Sequence, residues 1–263
     1  MASAATNKSI ILITGANAGI GFELASQLLA DKTKHVIIGS RSLEKGEAAL
    51  QALRSRNQPG AVDLVQLDID QRASIEAAAE KLQQDYGRID ALVNNAGIGS
   101  DTSKPVEDQM LAAFRTNAIG PYLMSEAFKP LLKNSITTPR IINVSSGAAS
   151  VAGRLTMGRQ GPLRNMPYCA SKTALGMVMA FQATEPEIET LKAFCYCPGF
   201  TASTLGPSNT VEKGAKPTGV GAKPMVGILN GARDEESGGF LIGPEMGPEH
   251  STVKLADKLQ LPW

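Results

Sequence analysis

The sequence has little of what several common classes of protein need. Only 2 of its 263 residues are histidine, aromatic residues make up 5% of the chain, and the formal net charge is +1. Without a basic tract or many aromatic side chains, the chain is a poor match for a protein that binds nucleic acid or an anionic membrane. No apolar stretch approaches the ~20 residues that a membrane span needs. The partner that we expect is therefore a small molecule.

Cysteine is also scarce. The three cysteines are Cys169, Cys195 and Cys197, an odd number without a disulfide framework, so we expect a reduced, soluble, cytoplasmic protein. Cys195 and Cys197 lie in the apolar run AFCYCPG, and because side chains alternate along a strand, both sulfurs should face the same side. Two ligands without nearby histidine or acidic partners make a poor zinc site. We therefore predict core packing for both residues and no metal.

What the sequence does have is a regular alternation of short β-branched runs with longer helical patterns. The helical stretches carry apolar residues at i, i+3, i+4 and i+7, whereas several strand candidates are apolar nearly throughout, which is typical of a parallel sheet covered on both faces. The pattern predicts an α/β fold, a single domain over residues 1–263 with a doubly wound parallel sheet flanked by helices. The strand candidates are 9–14, 35–40, 62–67, 89–94, 140–145 and 192–197, and the helix candidates are approximately 19–30, 43–56, 71–86, 108–133 and 167–184.

Two stretches do not follow this alternation. Residues 147–167 and 200–224 are loop candidates rich in glycine, proline and small residues, and loops of this length in a compact domain are often lids or binding loops. We predict that both shape a substrate site. Arg154, Arg159 and Arg164 in the first loop either meet an anionic substrate or are ordinary solvated arginines.

A glycine-rich turn follows the first strand candidate. TGANAGIG runs from Thr14 to Gly21, where Gly15 permits a tight turn, Gly19 lets the backbone approach a phosphate, and Gly21 allows close packing of helix on strand. The N-terminus of the next helix would offer free N–H groups and a positive dipole end to an anion. With a strand before it and a helix after it, this turn predicts a pyrophosphate-binding loop, and a turn without a ligand is the alternative.

The spacing glycine-x-x-x-glycine-x-glycine resembles that of the short-chain dehydrogenase/reductase family, classical type. Further family motifs follow in the family's order over about residues 9–204: LDID with Asp68, NNAG at 94–97, RTNAIG with Asn117, NVSS at 143–146, YCASK at 168–172 and CPGFTAS at 197–203. The resemblance implies a Rossmann-type, nicotinamide-dependent oxidoreductase similar to the carbonyl reductases.

The resemblance also implies four catalytic residues. Tyr168 is the general acid in reduction and the general base in oxidation, Ser146 binds the substrate oxygen (with Ser145 as the alternative), and Asn117 interrupts its helix and anchors a water. Lys172 lies one turn beyond Tyr168 on the same helix face. An ammonium ~4 Å from the phenol, at an effective dielectric of ~20, would lower the phenol's pKa from ~10 by about three units. We therefore expect Tyr168 to exchange a proton near neutral pH without a histidine.

A set of cofactor-binding residues is implied as well. Asp68 matches an acid that contacts the adenine amino group, and the backbone of Thr201 matches one that meets the carboxamide. No acid stands at the end of the second strand, where Ser40 is followed by Arg41 and Ser42. A guanidinium can hold a 2′-phosphate by two hydrogen bonds, and Ser40 or Ser42 could add a hydroxyl. We therefore predict NADP(H), with NADPH preferred over NADH, and an Arg41 that only meets solvent is the alternative. The full predicted set is Gly15, Asn17, Gly19, Ile20, Gly21, Arg41, Asp68, Ile69, Asn95, Ala96, Gly97, Tyr168, Lys172, Pro198, Gly199 and Thr201.

Together these features predict an NADPH-dependent reductase that moves a hydride between a nicotinamide and a carbonyl or secondary-alcohol carbon of a small organic substrate. One alternative is an NADP-dependent epimerase or dehydratase acting on a nucleotide sugar, whose relatives usually have an additional C-terminal substrate domain. The other is a non-catalytic NADP(H)-binding regulator, which would not need Tyr168, Lys172 or Ser146. Family members pair through the helices near 108–133 and 167–184 or are monomers, so both a monomer and a homo-oligomer stay open.

Overall fold

A parallel sheet forms the centre of the computed structural model, which describes residues 7–157, 165–206, 209–244 and 259–263. Its seven strands lie in the order β3-β2-β1-β4-β5-β6-β7, and every neighbouring pair is parallel. The chain therefore adds β2 and β3 on one side of β1, and then adds β4 and the later strands on the other side. Doubly wound sheets bind ligands at the carboxyl ends of the strands where this change of direction occurs. The strands are β1 (Ser9–Thr14), β2 (Lys34–Ser40), β3 (Ala61–Gln66), β4 (Ala91–Asn94), β5 (Arg140–Val144), β6 (Lys192–Cys197) and β7 (Phe240–Ile242).

Helices cover both faces of the sheet. Because side chains alternate along a strand, Ile10 and Leu12 of β1 belong to the hydrophobic core on one face of the sheet, whereas Ile11 and Ile13 belong to the core on the other face. The predicted α/β fold, a doubly wound parallel sheet flanked by helices, is confirmed. The α-helices in the described part of the chain are α1 (Gly19–Leu29), α2 (Leu43–Arg54), α3 (Arg72–Tyr86), α4 (Val106–Phe114), α5 (Gly120–Lys133), α6 (Val151–Met157), α7 (Met166–Ala183) and α8 (Thr218–Leu229).

The two predicted loops contain helices that the sequence pattern did not show. The loop expected at 200–224 ends where α8 begins, and the loop expected at 147–167 contains α6. Helix α8 has the sequence TGVGAKPMVGIL, whose glycines and internal proline give it a low helix propensity. Burial of Met225 and Ile228 in the core and a 2.8 Å hydrogen bond from Gln27 Nε2 to Gly219 O hold it in place. Tertiary packing therefore outweighs local propensity here.

The long helix predicted for residues 108–133 is interrupted. Helix α4 ends at Phe114, a π-helix spans residues 115–119, and α5 follows it directly. Asn117 lies at the centre of the π-helix and is fully buried. The interruption that we expected at Asn117 is thus present, and π-helical turns inside α-helices frequently occur at functional sites.

Cys195 and Cys197 lie on the same side of β6, as the alternation predicted. Both belong to the core cluster on the α7 side of the sheet, and all three cysteines are free thiols. In the described residues, no group of three or more histidine, cysteine, aspartate or glutamate side chains could hold a metal ion. None of the described helices has the length and apolar character that crossing a bilayer requires.

Candidate active site

The turn between β1 and α1 is open to an anion. Gly15 and Gly19 have positive φ angles of 64° and 61°, a conformation that other residues rarely adopt. Ala18 precedes α1 without a side-chain cap, and no acidic residue lies in the first turn. Such a helix N-terminus favours a negative charge. The turn, which also holds the half-buried Asn17 and Ile20, therefore fits the pyrophosphate of a dinucleotide cofactor.

Hydrogen bonds join this turn to the loop after β4. Asn95 Nδ2 donates to Thr14 O at 2.8 Å, and the N–H groups of Asn95 and Ala96 donate to Thr14 Oγ1 at 3.0 and 2.9 Å. A Cβ on Gly15 would lie only 3.0 Å from Ala96 Cα. The predicted residues Asn95, Ala96 and Gly97 therefore lie beside the turn, and the Asn95 side chain is engaged in holding the two loops together.

Arg41 lies directly after β2, at the carboxyl edge of the sheet, and is exposed. Ser40 is only 1% exposed, and its hydroxyl donates to Ser42 O at 2.8 Å. Ser42 Oγ accepts from Lys45 N at 3.3 Å and caps α2. Of the two serines that could add a hydroxyl to a phosphate, Ser40 is thus buried and hydrogen-bonded internally, which favours Ser42. Arg41 and the more exposed Ser42 are the residues at this position that could contact a phosphate.

Asp68 and Ile69 follow β3 and have different surroundings. Asp68 is partly buried, its Oδ1 accepts from Asp70 N at 3.0 Å, and its own N–H donates to Ser74 Oγ at 2.9 Å. The side chain of Ile69 packs in the core, and a Cβ on Gly120 would lie 3.1 Å from Ile69 Cδ1. Asp68 can thus face a ligand at the sheet edge, whereas the side chain of Ile69 mainly supports α5.

Separate motifs bring Asn117, Ser146, Tyr168 and Lys172 to one place. Ser146 follows β5, Tyr168 and Lys172 lie in the first turns of α7, and Asn117 lies in the π-helix. Ser146 lies close enough to Tyr168 for its hydroxyl to lower the pKa of the phenol. A Cβ on Gly97 would lie 3.4 Å from Lys172 Nζ and 3.1 Å from Asn117 Oδ1. Gly97 therefore marks the point where the lysine and the asparagine meet the loop after β4.

Ser146, and not Ser145, faces the tyrosine. Ser146 Oγ accepts from Ala148 N at 3.3 Å and begins a short 3-10 turn over residues 147–149. Ser145 is buried, and its N–H donates to Tyr196 O of β6 at 2.7 Å. The geometry thus supports the choice of Ser146.

The ammonium of Lys172 is directed at the end of β5. The residue is 5% exposed, and its Nζ donates to Val144 O at 2.8 Å. Burial disfavours the charged form and lowers the pKa of Lys172 to about 8. At pH 7 the ammonium form therefore still outnumbers the amine by about ten to one.

The pKa of Tyr168 differs from the sequence-based expectation. Burial raises the pKa of Tyr168 to about 12, and the hydrogen bond with Ser146 offsets only part of this effect. We expected Lys172 to lower the pKa of the phenol toward neutrality, and this was wrong. The cost of burying a phenolate is the larger effect, and the ammonium is held at the carbonyl of Val144. The phenol therefore keeps its proton at neutral pH.

Asn117 connects the loop after β4 to α7. Its Oδ1 accepts from Ile98 N at 2.9 Å, and its Nδ2 donates to Ile98 O and to Ser171 Oγ, both at 3.0 Å. The side chain is thus bonded on both sides of its amide group. Asn117 therefore fixes the position of the helix that carries the tyrosine and the lysine.

The segment after β6 covers the same edge of the sheet. Gly199 has a φ of 73°, and the buried Thr201 donates from Oγ1 to Pro198 O at 2.9 Å. The N–H of Lys216 donates to Phe200 O at 2.9 Å. The loop from 200 to 216 is thus closed at its base by main-chain hydrogen bonding.

The same loop reaches across to the loop after β4. The backbone oxygen of Leu205 lies so close to Gly99 that a Cβ would not fit there. Ser203 N donates to Asn209 O at 3.0 Å within the loop. The contact between Leu205 and Gly99 joins the loop after β6 to the loop after β4 at the carboxyl edge of the sheet.

Comparison with known proteins identifies the family. The sequence model of the short chain dehydrogenase family matches residues 9–213. This chain belongs to that family. A short-chain dehydrogenase of Penicillium roqueforti, anuI, is 34% identical over 248 residues, which cover 92% of this chain and 96% of the relative. The family is one of oxidoreductases that use a nicotinamide cofactor.

Carbonyl reductases are among the relatives of this short-chain dehydrogenase. Carbonyl reductase [NADPH] 1 of Bos taurus is 36% identical over 143 residues, covering 54% of this chain and 50% of the relative. The crystal structure of NADPH-bound carbonyl reductase from chicken fatty liver superimposes with a TM-score of 0.72 and 29% identity, covering 90% of this chain and 96% of that one. The predicted resemblance to the family, including its carbonyl reductases, is confirmed.

Two supporting residues of this short-chain dehydrogenase escaped the sequence analysis. Thr14 joins β1 to the loop after β4, as described above. Asn165 caps α7: its Oδ1 accepts from Tyr168 N at 3.3 Å and from Ser100 Oγ at 2.6 Å. An asparagine ahead of Met-Pro at the start of a helical pattern is a typical N-cap signal, so Asn165 could have been found from sequence, whereas Thr14 could not.

Of the three arginines for which either contact with an anionic substrate or ordinary solvation was open, Arg159 and Arg164 lie outside the described residues. Arg154 lies on α6 and is partly buried. Burial raises the pKa of the Cys169 thiol, and the charge of Arg154 counters part of that effect. Arg154 is therefore near the residue that follows Tyr168.

Proposed function

We propose that this short-chain dehydrogenase is an NADPH-dependent reductase of carbonyl groups in small organic molecules, with Tyr168 as the general acid. The observation that carries the proposal is the convergence of four side chains: Ser146 is beside Tyr168, and Lys172 and Asn117 are beside Gly97. When it is bound, the nicotinamide cofactor supplies the hydride.

The protonation state of Tyr168 supports the reductive direction. With a pKa of about 12, the phenol carries a proton at pH 7 and can give it to a carbonyl oxygen that gains negative charge. The hydroxyl of Ser146 donates a hydrogen bond to the same oxygen. The ammonium of Lys172 would hold the ribose hydroxyls of the nicotinamide cofactor, as the family resemblance implies. Oxidation of an alcohol needs the phenolate at the start, so we expect its rate to rise with pH.

Arg41 supports the proposed preference for NADPH. Its exposed guanidinium stands at the end of β2, where an acid would repel a 2′-phosphate and bind the 2′-hydroxyl of NADH. The carbonyl reductase from chicken fatty liver, named as NADPH-bound, and the bovine relative, named for NADPH, agree with this choice. We propose a preference and not a strict exclusion of NADH, because Ala18 precedes Gly19 where NADP-selective relatives often have a second basic residue.

Residues 1–263 would act as one catalytic domain in the cytoplasm, as a monomer or a homo-oligomer, with neither nucleic acid nor membrane as a partner. Exposed apolar side chains on α5 and α7 support the oligomer, since Tyr122 is 48% and Phe181 is 70% exposed. Sedimentation of the protein at several concentrations distinguishes the two states.

The test is NADPH consumption with a panel of ketones, aldehydes and quinones. We expect turnover with at least one class, and we expect Tyr168→Phe to lose nearly all of it while its affinity for NADPH stays within a few-fold. The phenylalanine keeps the ring and its packing but has no proton to transfer. Binding of NADPH without oxidation across the whole panel would favour the regulator instead, and conversion of a nucleotide sugar without net NADPH consumption would favour the epimerase or dehydratase.

A further inference from the structure

A short segment, residues 259–263, lies against the edge of the sheet. Strand β7 is the last in the sheet order, and this segment runs antiparallel to it. Leu261 N donates to Phe240 O at 2.8 Å, and Ile242 N donates to Leu259 O at 2.9 Å. We refer to residues 259–263 as the strap.

An arginine and a glutamate hold the first part of the strap. The guanidinium of Arg233 donates to Ile242 O of β7 at 3.1 Å and to Leu259 O of the strap at 3.0 Å. Glu236 pairs with Arg233, and its Oε2 accepts from Gln260 Nε2 at 2.7 Å. Two neighbouring residues of the strap are thus fixed to the body of the protein by charge-assisted hydrogen bonds.

The far end of the strap holds the chain that follows Ser146. Ser150 is 3% exposed, and its Oγ donates to Pro262 O at 2.6 Å while accepting from Gly153 N at 2.9 Å. Ala152 N donates to Trp263 O at 3.1 Å. The start of α6 is therefore bonded to the strap by both a side chain and the main chain.

The strap also packs against the helix that carries Tyr168 and Lys172. The indole of Trp263 stacks on Phe240 with ring centroids 5.1 Å apart. On its other side, a Cβ on Gly176 of α7 would lie 2.6 Å from the Trp263 ring. The same helix is also bonded to the turn after Ser146, since Thr173 Oγ1 donates to Ala149 O at 2.8 Å.

These contacts surround the short turn that orients the Ser146 hydroxyl. Ser146 Oγ caps the 3-10 turn over 147–149, so its direction follows the position of that turn. Gly147 N donates to Cys197 Sγ at 3.0 Å at one end, and the strap holds Ser150 at the other. A displacement of a catalytic group by about 1 Å can lower a rate by about 100-fold.

We propose that the strap positions Ser146 relative to Tyr168 on α7, with Ser150 and Trp263 as positioning residues. The inference rests on the proposed reductase function. Neither residue touches the reacting atoms. Their effect passes through the turn at 147–149 and through the contact of the indole with Gly176.

The first test separates turnover from cofactor binding. Ser150→Ala removes the donor to Pro262 O and the acceptor for Gly153 N. We expect kcat to fall about ten-fold or more, with the Kd of NADPH within two-fold of the parent protein. Ser150→Thr keeps the hydroxyl and should restore most of kcat. Leu53→Ala is the control. Leu53 lies on α2 and is buried in the core on the face of the sheet away from α7. Its substitution should therefore lower Tm without lowering kcat.

The second test does not depend on activity. Trp263→Ala should speed hydrogen exchange of the amides at 147–153, and Leu53→Ala should not. Unchanged exchange there, or a Ser150→Ala variant with the parent's kcat, would overturn the proposal. The two tests can also disagree. If the parent protein reduces no carbonyl, the reductase function is refuted. If hydrogen exchange at 147–153 still rises in Trp263→Ala, the contacts between the strap and this segment are supported all the same.

Discussion

Replacing Gly21 with alanine tests whether close packing between α1 and the loop after β4 maintains the shape of the turn between β1 and α1. The new Cβ would lie 2.5 Å from Asn95 Nδ2 and 3.1 Å from Ala16 Cα. The Asn95 amide would then have to leave the position from which it donates to Thr14 O at 2.8 Å, or α1 would have to move away from the sheet. Either change displaces the turn that fits the pyrophosphate.

The size of the effect follows from three contributions to the free energy of unfolding. Overpacking costs about 1–3 kcal/mol and a lost hydrogen bond about 1 kcal/mol, while alanine in place of glycine inside a helix returns about 1 kcal/mol. We therefore expect a net loss of about 1–3 kcal/mol, measured from the urea midpoint at constant slope. NADPH and NADH should weaken alike, because both contain the pyrophosphate.

Gly219→Ala is the matched control for this prediction. Gly219 lies in the first turn of α8, and a Cβ there would meet only Gln27 Nε2 at 3.5 Å and Glu23 Oε2 at 3.7 Å, which is ordinary contact. We expect this variant to be as stable as the parent or slightly more stable. Equal urea midpoints for Gly21→Ala and the parent, or a loss of affinity confined to one cofactor, would refute the reasoning.

Three other substitutions and one measurement on the parent test the site and the fold. Arg41→Ala should weaken NADPH binding by about ten- to a hundred-fold, or ~1.5–3 kcal/mol, and leave NADH unchanged; equal losses in titrations with both cofactors would contradict the assignment. Lys172→Met should lower kcat and NADPH affinity yet raise the urea midpoint, because burial lowers the pKa of the ammonium from 10.5 to about 8, a cost of about 3 kcal/mol against ~1 kcal/mol for its hydrogen bond. A less stable variant would show that the buried charge is better compensated. The hydrogen bond from His35 holds the pKa of Asp63 below its usual range, so its stabilisation is present above pH ~4 and is lost as the pH falls through the folded-state pKa. Asp63→Asn should therefore destabilise the protein at pH 7 and converge with the parent below about pH 4, and a difference independent of pH would contradict this. Amide exchange in the loop 200–218 should slow when cofactor and substrate bind together, and unchanged exchange would count against a lid.

The meeting of the turn between β1 and α1 with the segments that carry Ser146, Tyr168 and Lys172 was predictable from sequence for a physical reason. In a parallel sheet, the residues that follow successive strands meet at one edge, so Gly15, Ser146 and Gly199 converge once the strands are placed. The order of motifs along the chain then determines which residues become neighbours. Their hydrogen-bond partners were less predictable. Thr14 and Asn95, for example, are hydrogen-bonded to each other although they lie 81 residues apart in the chain.

The electrostatics of the site could not be obtained from spacing alone. Tyrosine and lysine four residues apart share a helix face, and Tyr168 and Lys172 both lie on α7. The pKa of each group depends also on burial, which the sequence does not show directly. Burial raises the pKa of Tyr168 and lowers that of Lys172.

Several features that cost stability lie at the carboxyl edge of the sheet. This edge holds an uncapped α1, positive φ at Gly15 and Gly19, a π-helix around Asn117 and the buried ammonium of Lys172. Other helix ends are formed in ordinary ways, with Ser42 capping α2 and the left-handed Gly87 ending α3. Conflicts between local preference and final structure are expected where a protein binds and reacts. Their presence at this edge agrees with the proposed location of the chemistry.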